Sequence, residues 1–335
     1  MKEFNINRLN LKKLELGEKE LVLKRTTYEE PLYKDGYLLD KNGNKIGTKG
    51  DMYTKVIMAD ILEKGTLDLN PRPHYTDGEK AHTLNLNHGN TTFGITTYVA
   101  SKNESPLTTL RPIAVKSAIG ELLWIYQDAS NDLDVLSNKY GVTWWDEWEV
   151  ENTRTIGSVY GETIRRYDQM KNLLNNLKKD SDSRRHIISM WQLKEFEEPH
   201  GLKPCAYLTT YAIRHEWDGK DYLDMSLKQR SSDFATAGCI NQVQYMVLQH
   251  LVARHIGVEP GIFTWQYDNI QIYDRHIDQA IEMLNREPID CTPKIEINPD
   301  KTNFYDMSVE DIKITGYPRQ KIKEKNPPLK LPLGV

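Results

Sequence analysis

This 335-residue sequence predicts an α+β fold, in which a large mixed or antiparallel sheet is covered by segregated helices. Three observations carry the prediction. Strand-like runs rich in β-branched and aromatic residues follow one another at 186–191, 206–214 and 223–230 with no helix between them. Long stretches with helical spacing lie apart from those runs, at 113–128 and 240–255. No internal repeat breaks the chain into equivalent units.

In chain order, residues 1–50 are rich in Lys, Glu and Leu and differ from the rest. They carry two turn signals, Asp35-Gly36 and Asn42-Gly43, and the second suits a small hairpin. This segment is expected to be a peripheral extension of unknown role, and residues 51–335 a single catalytic domain. A helix with apolar spacing begins at Met52 and stops at Gly65. A turn-rich segment over 70–78 holds Arg72 and precedes strand-like pieces at 82–86 and 91–99. Ala114, Ala118, Leu122 and Ile125 mark the apolar side of the helix at 113–128, and a second helix is expected at 163–178. After the three consecutive strands comes the helix at 240–255, then a strand at 262–267 and a helix at 273–286. Pro327, Pro328 and Pro332 forbid regular helix, so the end is expected to be irregular.

Charged residues make up 27% and hydrophobic residues 39%, the proportions of a soluble globular protein. A net charge of -4 argues against bulk electrostatic binding of nucleic acid, although a local basic pocket remains compatible with it. Cys205, Cys239 and Cys291 are too few and too widely spaced for a disulfide framework or a metal knuckle. No run of 18 apolar residues occurs, and the first residues do not read as a secretory leader. A cytoplasmic enzyme is expected, with no membrane and no obligatory nucleic-acid partner.

Cys205 follows Pro204 and opens a strand-like run, which would present a thiol at the edge of a cavity. Free cysteines are most often inert and buried. A reactive one needs nearby cations, and Arg230 with the Arg184-Arg185 pair are candidates. Adjacent arginines before a strand form either a solvated basic turn or a phosphate clamp. Arg230-Ser231 and Arg72 would complete such a clamp for a phosphomonoester. Glu121 sits in a strongly apolar helix; it either reaches water or faces a cavity as a proton shuttle. Asn241, at a predicted helix start, is either a cap or a reader of uracil, because its amide can accept from N3–H and donate to O4. Trp144, Trp145, Trp148, Tyr160 and Trp191 are expected mostly in the core, with some walling a cavity for a flat heterocycle.

As an ordered set these residues resemble the folate-dependent thymidylate synthase family, over about five-sixths of the chain from Tyr53 to Val335. The segments that carry the likeness are the Glu121 helix and Gly141 to Trp148, then Gly157-Ser158-Val159-Tyr160-Gly161 and Ser183-Arg184-Arg185. Pro204-Cys205, Gln229-Arg230-Ser231-Ser232-Asp233, Asn241 and Tyr273 follow in order. The resemblance implies that Cys205 attacks C6 of dUMP and that 5,10-methylenetetrahydrofolate is consumed as cosubstrate, with no metal. It implies that Arg72, Arg230, Ser231 and the Arg184-Arg185 pair bind phosphate. That pair would reach into the neighbouring site of a homodimer whose sheets pack together. Asn241 would read uracil, Asp233 would orient nucleotide and folate, and Tyr273 would bind the ribose 3′-hydroxyl. Glu121 would organise proton transfer, Tyr160 would help remove the C5 proton, and Trp145, Trp148 and Val335 would shape the folate side.

The sequence departs from the family pattern at four places. Ala206 stands where a histidine is usual, removing a partner from the water network. Gln271 replaces a histidine, and its amide can still meet a 3′-hydroxyl. Cys239-Ile240 replaces Pro-Phe, and Tyr267-Asp268-Asn269 replaces Gly-Gly-Asp, which puts the shape of that turn in doubt. Two alternatives stay open: a nucleotide hydroxymethylase on the same scaffold, and a non-catalytic nucleotide-binding paralogue.

Overall fold

Thr48 starts the first long helix, α1 (Lys49–Lys64), by a reciprocal cap. Its hydroxyl accepts the Asp51 N–H at 2.9 Å, and Asp51 accepts the Thr48 N–H at 2.9 Å. The helix ends at Gly65, as its sequence predicts. The computed structural model describes residues 1–15, 17, 23, 25–87 and 91–335. Both turn signals of the N-terminal segment make hairpins. Asp35 and Gly36, at φ 52° and 84°, join Tyr33–Lys34 to Tyr37–Leu39, which also pairs with Lys45–Ile46. Part of this segment lies outside the described residues. The rest is no loose appendage, because Phe4, Leu9, Tyr28 and Leu38 are each at most 3% exposed and join the main core. Lys2 pairs with Glu63, and the Glu29 N–H donates to Asn285, so the segment lies across α1 and a helix near the far end of the chain.

The strands that follow are β1 (Thr66–Leu67), β2 (Thr83–Asn87) and β3 (Ile95–Val99), and then comes helix α2 (Val115–Tyr126). Next are β4 (Ile187–Ser189), β5 (Ala206–His215), β6 (Asp221–Gln229) and β7 (Ser232–Asp233). Helix α3 (Cys239–Ile256), β8 (Glu259–Tyr267), β9 (Asn269–Tyr273) and α4 (Ile277–Asn285) complete the frame. The main sheet has the order β3-β8-β6-β5-β4, with β6 and β8 parallel and the other pairs antiparallel. A second sheet has the order β7-β9-β2-β1. The sheet is therefore mixed and the helices segregated, as predicted.

Alternation along the strands decides which face is core. Leu223, Met225, Leu227 and Gln229 of β6 are buried, as are Phe263, Trp265 and Tyr267 of β8. Helix α3 packs on these strands. Burying a residue the size of Trp265 completely is worth about 3–5 kcal/mol against its truncation to Ala.

Several elements differ from expectation. The helix expected at 163–178 is two helices, Gly161–Arg166 and Gln169–Lys179, broken where Asp168 takes a left-handed φ of 48°. Tyr273 ends a strand instead of starting a helix. The region beyond 290 contains a hairpin, Lys294–Ile297 with Ile312–Thr315, and a short helix, Arg319–Lys325, that ends before Pro327. Leu133–Tyr140 forms a further helix, capped by the Asp132 side chain. At the doubtful turn, Asp268 N–H donates to Gln229 O and Asn269 N–H to Arg230 O, so the chain crosses directly from one sheet to the other.

Candidate active site

Cys205 immediately precedes β5, and the register between β5 and β6 slips at Tyr207, a bulge just beyond the thiol. Such bulges re-aim a strand end. Around it the backbone is tied on two sides. Cys205 N–H donates to the Tyr160 hydroxyl at 3.1 Å, and Cys205 O accepts the Arg230 N–H at 2.9 Å. Tyr160 itself sits at φ 52°, ψ −111°, a conformation that costs about 1–3 kcal/mol in a non-glycine residue. Trp145 packs edge-on against its ring at 4.9 Å.

The Arg230 guanidinium donates to Pro204 O at 2.9 Å and Lys203 O at 2.8 Å, and it lies over the Trp191 ring. Those bonds fix it beside Cys205 while leaving other donors of its fork free for an anion. Arg72 is also close enough to act on the thiol electrostatically. The sequence reading has the arginines make Cys205 a thiolate, and this needs correction. Burial pushes the thiol above its ordinary value, and Arg230 and then Arg72 offset only part of that. The residue keeps some solvent exposure, yet the protein around the sulfur is enough for desolvation to dominate.

Asn241 is not an N-cap. A π-helical turn, Phe234–Gly238, runs straight into α3, so Asn241 falls within continuous helix. Its amide belongs to a chain of bonds with a defined direction. Trp265 Nε1 donates to Gln229 Oε1 at 2.9 Å, and Gln229 Nε2 donates to Asn241 Oδ1 at 3.0 Å. Asn241 Nδ2 donates to Gln244 Oε1 at 3.2 Å, and Gln244 Nε2 to Ala118 O at 3.0 Å. An indole can only donate and a carbonyl can only accept, so the two ends of the chain set every amide between them. Asn241 keeps one acceptor site and one donor site for a ligand, the pattern complementary to uracil.

Glu121 is 8% exposed, and its carboxylate accepts the Trp144 indole N–H. Desolvation raises its pKa, while Gln244, Trp144 and Trp145 pull the other way. Asp233 accepts the Thr236 hydroxyl at one oxygen. Ser231 Oγ donates to Gln271 Oε1 at 3.3 Å. Burial raises the Tyr273 hydroxyl, which senses Asp233, Arg72 and Cys205 together and so places all four in one region. Val335 exchanges backbone bonds with His74 at 2.9 and 2.8 Å. A Cβ at Gly334 would lie 2.9 Å from the Tyr273 ring and 2.7 Å from Ala81, so the tail's close approach requires glycine there.

Trp145 is 6% exposed and packs with Trp124, Trp148 and Tyr160, so it works as a core residue behind the site. Trp148 is half-buried. Ala206 is buried, and Cys239 is buried with Sγ 3.1 Å from Pro106 O. Arg184 and Arg185 are exposed in the turn before β4 and, among the described residues, take no hydrogen-bond or ion-pair partner. Sequence reasoning singled out neither Gln229 and Gln244 as orienting groups nor Trp144 as a partner of Glu121. Only the spacing of Gln229 beside Arg230 hinted at the first. A cavity of about 260 Å³ lies elsewhere, between Tyr37, Lys45, Lys102 and Cys291, and shares no residue with this site. Among the described residues, no group of three His, Cys, Asp or Glu side chains is placed to hold a metal.

Residues 52–326 match the family model described as thymidylate synthase. A thymidylate synthase of Streptococcus pneumoniae (strain 70585) is 44% identical over 289 residues, covering 86% of this chain and all of that protein. One from Streptococcus pyogenes serotype M3 is 44% identical over 272 residues, covering 81% of this chain and 95% of the relative. The solved structure of thermostable thymidylate synthase A from Bacillus subtilis superposes with a TM-score of 0.75 at 31% identity, covering 85% of this chain and 99% of that one. A thiol beside a clamped arginine and an oriented amide, on a mixed sheet with this order of motifs, thus coincides with a family match across most of the chain: the chain belongs to the thymidylate synthase family.

Proposed function

We propose that this protein makes dTMP from dUMP, with a covalent bond between Cys205 Sγ and uracil C6 and with 5,10-methylenetetrahydrofolate as cosubstrate. The oriented amide chain that runs through Asn241 carries this reading. It leaves an acceptor for N3–H and a donor for O4, whereas cytosine would present groups of the wrong sense to both. Arg230, Arg72 and Ser231 take the phosphate, and Tyr273 with Gln271 takes the ribose. Thiol addition at C6 makes C5 nucleophilic, and deprotonation of the raised thiol awaits the bound nucleotide. The folate supplies a methylene and a hydride to C5 and leaves as dihydrofolate. Glu121, held by Trp144, moves protons through water, and Tyr160, beside the nucleophile, assists loss of the C5 proton. Asp233, Trp148 and Val335 shape the folate side, with Trp145 supporting them from behind.

Arg184 and Arg185, exposed and without a partner among the described residues, support a homodimer in which they complete the phosphate site of the neighbouring subunit. The half-exposed face of the main sheet, with Thr210, Ser226, Thr264 and Gln266, suits packing against its counterpart. A cytoplasmic location goes with three unpaired cysteines.

The test is the absorbance of dihydrofolate formed from dUMP and the methylene folate, repeated with dCMP. Formation with dUMP and none with dCMP is expected. Release of the C5 proton without dihydrofolate would assign a hydroxymethylase, and tight dUMP binding with neither product a non-catalytic binder.

A further inference from the structure

We propose that His276 is a positioning residue for the reduced folate, one imidazole that both seats the 332–335 segment and spaces the Asp233 carboxylate. The inference rests on the folate reading given above.

His276 is fully buried in the short turn Asp274–His276 that leads into α4. Its Nε2 lies 2.7 Å from Pro332 O. A backbone carbonyl only accepts, so Nε2 carries the proton in that bond. Its Nδ1 lies 3.8 Å from Asp233 Oδ1. That is too long for a hydrogen bond. Among the described residues both atoms are buried without a hydrogen-bond partner, while the other Asp233 oxygen is tied to Thr236. The ring therefore acts as a spacer against Asp233 as long as Pro332 holds its far side.

Tyr273 closes the arrangement. Its ring meets His276 edge-on at 5.4 Å, and Gly334 lies close against its Cε1 and Cζ atoms. The segment thus rests on His276 through Pro332, on Tyr273 through Gly334 and on His74 through Val335. If the segment lifts, Nε2 loses its acceptor and the ring is released to turn toward Asp233. Seating of the segment and the setting of Asp233 are then one event, and its effect falls on the folate, the ligand that Asp233 and Val335 have in common on the reading above.

Two substitutions separate the two faces of the ring. In His276→Gln the amide nitrogen takes the place of Nε2 and can still reach Pro332. In His276→Asn it takes the place of Nδ1, meets Asp233 and abandons Pro332. Steady-state kinetics should show His276→Asn raising the folate KM about tenfold or more, with His276→Gln within about threefold of the parent protein. Binding of dUMP, measured by calorimetry, should stay within about twofold in both. Gly334→Ala unseats the segment from the other side and should raise the folate KM in the same direction, without touching His276. Equal effects of the two His276 variants, a parallel loss of dUMP binding, or a normal folate KM in Gly334→Ala would overturn the inference. A parent protein that forms no dihydrofolate would instead sink the folate reading beneath it.

Discussion

Arg230 and the Arg184-Arg185 pair stand near β6 and β4, the two strands that flank β5 in one sheet, and are in opposite states. Arg230, just past β6, is held by two carbonyls of its own chain and lies over Trp191. Arg184 and Arg185, just before β4, are exposed and have no partner among the described residues, although the next residue, His186, is buried and bonded to Asp180 O. The difference is physical. A guanidinium that must act within its own chain is preorganised by it, and its ordering entropy is spent during folding. One that acts elsewhere stays solvated until its target arrives. On the proposed reading, one chain builds the nucleophile wall alone and the phosphate clamp is shared.

Breaking the self-contained wall should have the largest effect. Cys205→Ala is expected to lower turnover about ten-thousand-fold or more, while dUMP binding by calorimetry stays close to that of the parent protein. Near-normal turnover would remove Cys205 from the chemistry. The shared half is sharpened by mixing inactive chains. If Arg185 serves the neighbouring site, co-refolded Cys205→Ala and Arg185→Ala chains should recover roughly a quarter of the sites, because each mixed dimer has one intact site. No recovery would confine Arg185 to its own chain.

The amide chain allows a smaller and more selective change. Gln229→Met removes the link between Trp265 and Asn241 and frees the Asn241 amide to turn over. We expect the KM for dUMP to rise about tenfold and the margin over dCMP to shrink. A higher KM with unchanged discrimination would mean that Gln229 only supports packing.

The smallest effect concerns Glu121. Its pKa is raised on folding, so the stability that goes with its protonated form is complete below about pH 4.3 and is lost as pH rises through the folded value. Glu121→Gln should therefore melt about 2–4 °C higher than the parent protein at neutral pH and no higher at pH 4, while turnover falls. A melting difference independent of pH would assign the change to packing instead.

Much of this site was legible as ordered residues. Cys205 after Pro204, Arg230 with Ser231, Asn241 and Glu121 stood out because each is a chemically costly residue inside an apolar or turn-forming stretch. The partners that orient them did not stand out. Gln229, Gln244 and Trp144 are ordinary residues locally, and their roles come from contacts across 12 to 126 positions of chain. The fold shows the same divide. Helix α1 was predicted through to Gly65, where apolar spacing and its stop are local. Strand β9 was missed because Asn269 to Tyr273 pair with Asn87 to Thr83, far back in the sequence. The hairpin beyond 290 was hidden in the same way, by partners 15 to 21 residues apart.

By itself, the sequence determined the α+β class, the long helices, and the set of groups able to do the chemistry. Those follow from periodicity, turn residues and side-chain type, which act over a few residues. Tertiary structure alone decided that burial outweighs the arginines at Cys205, that Asn241 lies inside a helix with its amide already set, and that Tyr160 is strained against the Cys205 backbone. Desolvation and hydrogen-bond direction depend on what surrounds a group in space. The chain brings those surroundings from both sheets and from α2, and only folding assembles them.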